Sequence, residues 1–180
     1  MVVIFLAQGF EETEALAPAD LLRRAGIEVK LVGIGGMEIT GSHGITVRAD
    51  LTDEELDFSD LEMMVLPGGL PGATNLEESR TVQSFLTFCQ ENDRWIAAIC
   101  AAPYILGRRG LLQGRRATCY PGYEKEFAGG TYTGAPVERD GKIITARGAG
   151  VALEFGLALV AALQDQEAAD RIKVSIQFRD

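Results

Sequence analysis

The chain has 180 residues, 47% hydrophobic and 24% charged, with a formal net charge of −9. That balance describes one globular domain spanning 1–180, and the acidic surface argues against a nucleic-acid or anionic-membrane partner, which needs a basic patch. Three cysteines without metal-ligand spacing, no basic-led signal segment and no apolar run of membrane length point to a reducing, cytoplasmic setting.

Val2–Ala7 is a continuous apolar run of the kind that forms a parallel strand buried on both faces. A turn at Gln8-Gly9 leads to Glu11, Glu12 and Glu14, and Ala15–Ala25 then carries a helical period closed by Gly26. Glu28–Ile34 completes a strand–helix–strand unit. Glycines break up the next stretch into a hairpin, Glu38–Thr40 against Ile45–Val47, outside the main sheet. Asp50–Asp60 reads as an acidic loop. Met63–Leu66 is a buried strand ending at Pro67-Gly68-Gly69, and Leu70–Leu76 reads as loop or one short turn. Ser79–Glu91 is a helix with Val82, Phe85, Leu86 and Cys89 inward, which makes Cys89 a core residue.

Trp95–Ile99 is the next buried strand, and it stops on Cys100. Small residues follow before Pro103 opens a helix-compatible segment. A strand turning straight into a helix with a nucleophile at the corner is an elbow, and its tight turn requires small residues such as Ala98 and Ala102 on either side. An elbow also predicts strained backbone angles at Cys100 and amides at the helix start that favour a thiolate. Arg116–Thr118 is a strand ending at Cys119-Tyr120. Val137–Arg139 and Lys142–Thr145 pair through Asp140-Gly141. Val151–Leu163 and Gln166–Ile172 are helices. This order predicts an α/β three-layer sandwich with a mostly parallel sheet and helices on both faces.

In such sheets ligands bind beyond the carboxyl ends of the strands. Gln8–Glu14, Pro67-Gly68-Gly69, Cys100-Ala101 and Cys119-Tyr120 all end there. Gly68 and Gly69 let backbone amides approach a ligand without a side chain in the way. One of the three acids can turn inward as a protonated carboxyl that donates to a thiolate. Helical spacing puts Glu11 and Glu14 on one face and turns Glu12 to solvent. The only histidine, His43, lies at the hairpin tip and reads as a surface residue. No serine elbow, zinc site, dinucleotide fingerprint or P-loop is present in the sequence.

Val2–Glu14, Leu66–Gly69, Ala97–Pro103 (A-A-I-C-A-A-P) and Thr145–Gly150 (T-A-R-G-A-G) together resemble the ThiJ/PfpI superfamily, within it the parkinsonism-associated deglycase branch. The resemblance runs end to end. It implies a flavodoxin-like homodimer needing no cofactor or metal, with Cys100 as the reactive thiol, Glu14 as its carboxyl partner and the amides of Gly69 and Ala101 binding an oxyanion. It also implies that Arg24 and His43 approach the pocket near a dimer contact. Three positions depart from the family. Ala101 stands where protease-like members carry histidine, which counts against peptidase activity. Tyr120 stands where the parkinsonism-associated protein has histidine, and Ala149 where many relatives have proline.

The function so implied is cofactor-free conversion of α-oxoaldehydes such as methylglyoxal, free or as adducts on protein side chains. The alternative is a redox-sensing or chaperone-like stress protein switched by oxidation of Cys100 to sulfinic acid.

Overall fold

A computed structural model describes residues 1–179. Its strands are β1 (Val2–Leu6), β2 (Val29–Gly33), β3 (Glu38–Thr40), β4 (Thr46–Arg48), β5 (Leu51–Thr52), β6 (Met63–Leu66), β7 (Trp95–Ile99), β8 (Arg116–Ala117), β9 (Thr131–Tyr132), β10 (Val137–Asp140) and β11 (Ile143–Ala146). Its helices are α1 (Glu12–Arg24), α2 (Gly72–Glu78), α3 (Arg80–Glu91), α4 (Pro103–Arg108), α5 (Ala152–Leu163) and α6 (Gln166–Ser175).

Seven strands form the central sheet in the order β10-β11-β7-β6-β1-β2-β5. Every pairing in it is parallel except β10 with β11. From β1 the chain winds out to β2 and β5, then returns to β6 on the other flank. Strand order therefore reverses between β1 and β6, which opens a crevice at their carboxyl ends. Cys100 follows β7, the next strand along.

The central strands β1, β6 and β7 are apolar throughout because both of their faces are covered. Val3 and Phe5 of β1 join a core completed by Leu76, Val82, Phe85 and Ile105 from α2, α3 and α4. Val2, Ile4 and Leu6 point the other way, onto Ala15, Leu22, Phe155 and Leu159 from α1 and α5. The two faces alternate by single residues, so slipping β1 by one position would exchange the two sets completely.

The structure departs from the sequence reading in three places. The acidic segment contains the edge strand β5, whose two residues pair with Val32 and Gly33 of β2. The stretch after Gly69 forms α2, buried through Ala73 and Leu76. Neither segment has enough residues to show a period, and tertiary pairing decides both. Arg116 and Ala117 do form a strand, but it pairs with β9 in a separate two-stranded sheet. The hairpin β3–β4 stands outside the central sheet as expected, with its second strand one residue later.

The tightest helix contact is between α1 and α5. A Cβ added at Gly156 would come within 2.7 Å of Leu21 Cδ1 and 3.0 Å of Pro18 Cα. Gly156→Leu therefore overpacks this crossing, and urea unfolding is expected to show a loss of about 1–3 kcal/mol.

Candidate active site

β7 ends at Ile99, and Cys100 takes φ +64°, the left-handed conformation that an elbow demands. Such a conformation costs about 1–3 kcal/mol at a non-glycine residue and persists only when its surroundings enforce it. Here the backbone is held on both sides. Cys100 N–H donates to Ala146 O at 2.9 Å, and Tyr120 N–H donates to Cys100 O at 2.8 Å. Ala98 and Ala102 are fully buried against the turn. Cys100 is half-buried, whereas Cys89 and Cys119 are sealed in the core.

Glu14 arrives from the first turn of α1, where Glu11 caps the helix by accepting from Glu14 N–H at 2.8 Å. The Glu14 side chain has no exposed surface. Its Oε2 accepts from Gly68 N–H at 2.9 Å, and Oε1 lacks a hydrogen-bond partner. Glu11 N–H donates to Gly68 O at 2.9 Å, and Gly72 N–H to Gly9 O at 3.2 Å, so the loops after β1 and β6 lie flat against each other. Gly68 makes this possible. A Cβ there would sit 2.6 Å from Glu14 Oε2, 2.7 Å from Cys100 Cβ and 3.1 Å from Ala101 N. The carboxyl carried by α1 and the thiol and amide carried by the turn after β7 thus converge on Gly68, in the loop after β6.

Burial pushes the Glu14 carboxyl up to about 7, with the charge of Glu11 adding to it. Hydrogen bonds from the Cys100 thiol and from the Gly68 and Ala149 amides oppose that rise. Burial also pushes the Cys100 thiol up to about 12, with the Glu14 carboxylate adding to it, while the Ala101 and Gly69 amides pull it down. The expectation of a resting thiolate is thereby revised. The carboxyl therefore gives up its proton near 7, while the thiol keeps its own up to about 12. The amides of Gly69 and Ala101 face the sulfur.

The remaining predicted residues lie further out. Tyr120 is 53% exposed at the rim. With Pro121, Arg147, Gly148, Ala149 and Gly150 it lines a groove of about 480 Å³ beside the thiol. A second groove of about 370 Å³, lined by Leu70, Tyr104 and Tyr123 among others, was not legible in the sequence. Arg24 is in the last turn of α1, paired with Asp20 at 2.6 Å and about 15 Å of helix rise from Glu14. His43 is exposed, with Nδ1 3.0 Å from Glu12 Oε2. Within this chain, neither lines the groove beside Cys100.

Glu12 corrects the helical-face argument. It is 5% exposed, not turned to solvent, and its Oε1 accepts from the N–H groups of His43 at 2.9 Å and Ile45 at 3.3 Å. Burial raises its pKa, but the hydrogen bonds from His43 and Ile45 outweigh that and hold it below the ordinary value. The same contact raises His43. The missed signal was Gly41, where any Cβ would occupy the Glu12 carboxylate's place. Glu11, Glu12 and His43 form the one cluster of metal-capable side chains among the described residues, with ligand atoms within 4.8 Å of one another. Both Glu12 oxygens are already engaged by the hairpin.

A family model described as the DJ-1/PfpI family matches residues 1–162. The Parkinson disease protein 7 homolog of Danio rerio is 36% identical, with 99% of this chain and 97% of that protein covered. A deglycase of Pyrococcus abyssi is 36% identical over 81% of this chain and 89% of its own length. Among solved structures, oxidized DJ-1 of Toxoplasma gondii superposes with a TM-score of 0.95 at 32% identity, covering 99% of this chain and 98% of that one.

The buried carboxyl has a consequence for stability. Folded Glu14 keeps its proton up to about pH 7, whereas the unfolded chain releases it near 4.5. This contribution is complete below the unfolded value and is lost as pH rises through 7, which amounts to about 3 kcal/mol. Denaturant unfolding from pH 4.5 to 7.5 should show that decline in the parent chain, and Glu14→Gln should flatten it.

Proposed function

The chain belongs to the DJ-1/PfpI family, and from that premise we propose that it is a deglycase-type enzyme whose nucleophile is Cys100 and whose proton carrier is Glu14. The observation that carries this reading is the juxtaposition of a half-buried thiol and a buried carboxyl across Gly68, with two backbone amides facing the sulfur. Glu14 takes the thiol proton as sulfur attacks the aldehyde carbon of an α-oxoaldehyde, and it returns that proton to the oxygen to give a hemithioacetal. As a carboxylate again, it removes the proton from the former aldehyde carbon to give an enediol and delivers it to the neighbouring carbon, while the proton of the hemithioacetal hydroxyl passes to the neighbouring oxygen. The product is a thioester of the hydroxy acid, and water cleaves it to free acid and thiol. Methylglyoxal plus water thus becomes lactate with no net redox change. Gly69 and Ala101 amides stabilise negative charge next to the sulfur.

An early adduct on a protein side chain is open to the same attack, since a groove lies beside the thiol with exposed Tyr120 at its rim. We further propose a cytoplasmic homodimer, supported by the exposed Ile45 of the hairpin and Leu153 of α5. Peptidase activity is not part of this reading, because Ala101 supplies no histidine beside the thiol.

A second reading, oxidation of Cys100 to sulfinic acid by peroxide, is favoured by one observation. Cys100 alone of the three cysteines is accessible, and the unpaired Oε1 of protonated Glu14 can donate to a sulfinate oxygen. Mild peroxide followed by mass spectrometry should then place two added oxygens on Cys100 and none on Cys89 or Cys119. Equal oxidation of all three would defeat it.

Lactate formation from methylglyoxal, followed by NMR, should vanish in Cys100→Ser and fall at least a hundredfold in Glu14→Gln. Release of free amine from a preformed adduct, measured after free aldehyde is removed, separates deglycation from scavenging. In the parent chain kcat/KM should rise with pH through about 7, as the pair loses its first proton. Iodoacetamide labelling of Cys100 should rise only at strongly alkaline pH in the parent chain, and in Glu14→Gln it should move to lower pH, because the carboxylate that opposes the thiolate is gone. Labelling that is identical in both proteins would remove Glu14 from the mechanism.

A further inference from the structure

We infer that the amino edge of the sheet carries a second binding site, separate from Cys100, for a small organic anion with an apolar body. A cavity of about 330 Å³ opens there, floored by the buried side chains of Cys89, Ile96, Leu111 and Ile143. That volume is at the lower end of the range for small-molecule sites. Arg94 immediately precedes β7 and Lys142 immediately precedes β11, and Ile96 N–H donates to Lys142 O at 2.9 Å. Cys100 follows the far end of β7, about 16 Å of strand away.

Three cations line the cavity, Arg94, Arg115 and Lys142, against the single carboxylate of Asp93. Arg115 is anchored to Asp140 at 3.3 Å. Among the described residues the guanidinium of Arg94 and the ammonium of Lys142 have no ion pair or hydrogen bond. Lys142 Nζ instead rests 4.6 Å from the centre of the Trp95 ring. Composition does not force this, because the chain has 26 acidic side chains for 17 basic ones. Arg94 and Lys142 also border a second cleft of about 270 Å³, shared with Glu62, Asp93, Trp95, Ala162 and Leu163, and neither acid there comes within ion-pair distance of the two cations.

This combination selects its ligand. A carboxylate or phosphate would satisfy Arg94 and Lys142 through charge-assisted hydrogen bonds, with the amides of Gln90 and Gln113 at the rim. Only a ligand with an apolar portion would also cover the floor of Cys89, Ile96, Leu111 and Ile143. A bare inorganic anion leaves that floor wet, and a neutral apolar compound leaves the cations unanswered.

The test is a titration of uniformly ¹⁵N-labelled full-length protein with phenyl phosphate, benzoate, inorganic phosphate and benzyl alcohol. Phenyl phosphate, benzoate or both should shift the amides of Arg94–Ile96, Leu111 and Lys142–Ile143 saturably, and which of the two binds more tightly identifies the anionic group. Inorganic phosphate and benzyl alcohol should bind at least tenfold more weakly. The double variant Arg94→Gln/Lys142→Gln should weaken the better organic anion at least tenfold while keeping a dispersed spectrum, and each single variant should weaken it by less. Absence of saturable shifts at these amides with both organic anions overturns the site. So does affinity unchanged in the double variant, shifts confined to the Cys100 loops, or inorganic phosphate binding as tightly as phenyl phosphate.

Discussion

The structure turns on one electrostatic constraint: a thiol and a carboxyl buried side by side cannot both be charged. Burial raises both groups, and the Glu14 carboxylate raises the Cys100 thiol further while the thiol's hydrogen bond pulls Glu14 down, so the carboxyl ionises near 7 and the thiol only near 12. The amides of Gly69 and Ala101 favour charge on sulfur, and that of Gly68 favours charge on the carboxylate oxygen. The proposed attack on a carbonyl therefore requires the thiol proton to move to Glu14 as the carbon–sulfur bond forms.

Keeping the pair in place consumes stability. The left-handed backbone at Cys100 and the buried carboxyl of Glu14 each oppose folding by a few kcal/mol. The two apolar cores on either face of the sheet supply the opposing free energy, and the backbone hydrogen bonds from Cys100 to Ala146 and from Tyr120 to Cys100 fix the corner rigidly. Glycine matters at Gly68 for a steric reason, since the volume of one Cβ would separate the carboxyl, the thiol and the amide that must meet.

Three glutamates within four positions illustrate how environment assigns role. Glu11 caps α1 with its carboxylate, Glu12 is held charged by the amides and ring of the hairpin, and Glu14 is pushed toward neutrality by burial. Identical side chains thus serve as a helix cap, a latch between helix and hairpin, and a proton carrier. The opposite edge of the sheet shows the converse arrangement. There Arg94 and Lys142 stand without acidic partners beside an apolar floor, in a chain with acids to spare.

The amino-acid sequence by itself determined the layers, the parallel strands and the elbow. Continuous apolar runs fit strands buried on both faces of a sheet, and the small residues two before and two after Cys100, Ala98 and Ala102, permit the tight turn that an elbow needs. It also indicated that the loops after β1, β6 and β7 converge, because the carboxyl ends of parallel strands share one edge. Short elements escaped it. The two residues of β5 and the seven of α2 carry no period, and only their partners define them. The inward turn of Glu12 depended on the hairpin 31 residues later, which no local spacing encodes. Tertiary structure alone also decided where the proton of the Cys100–Glu14 pair resides, since charge state follows from burial and from backbone donors contributed by distant loops. Sequence names the groups that can ionise, but only packing sets the dielectric and the neighbours that determine whether they do.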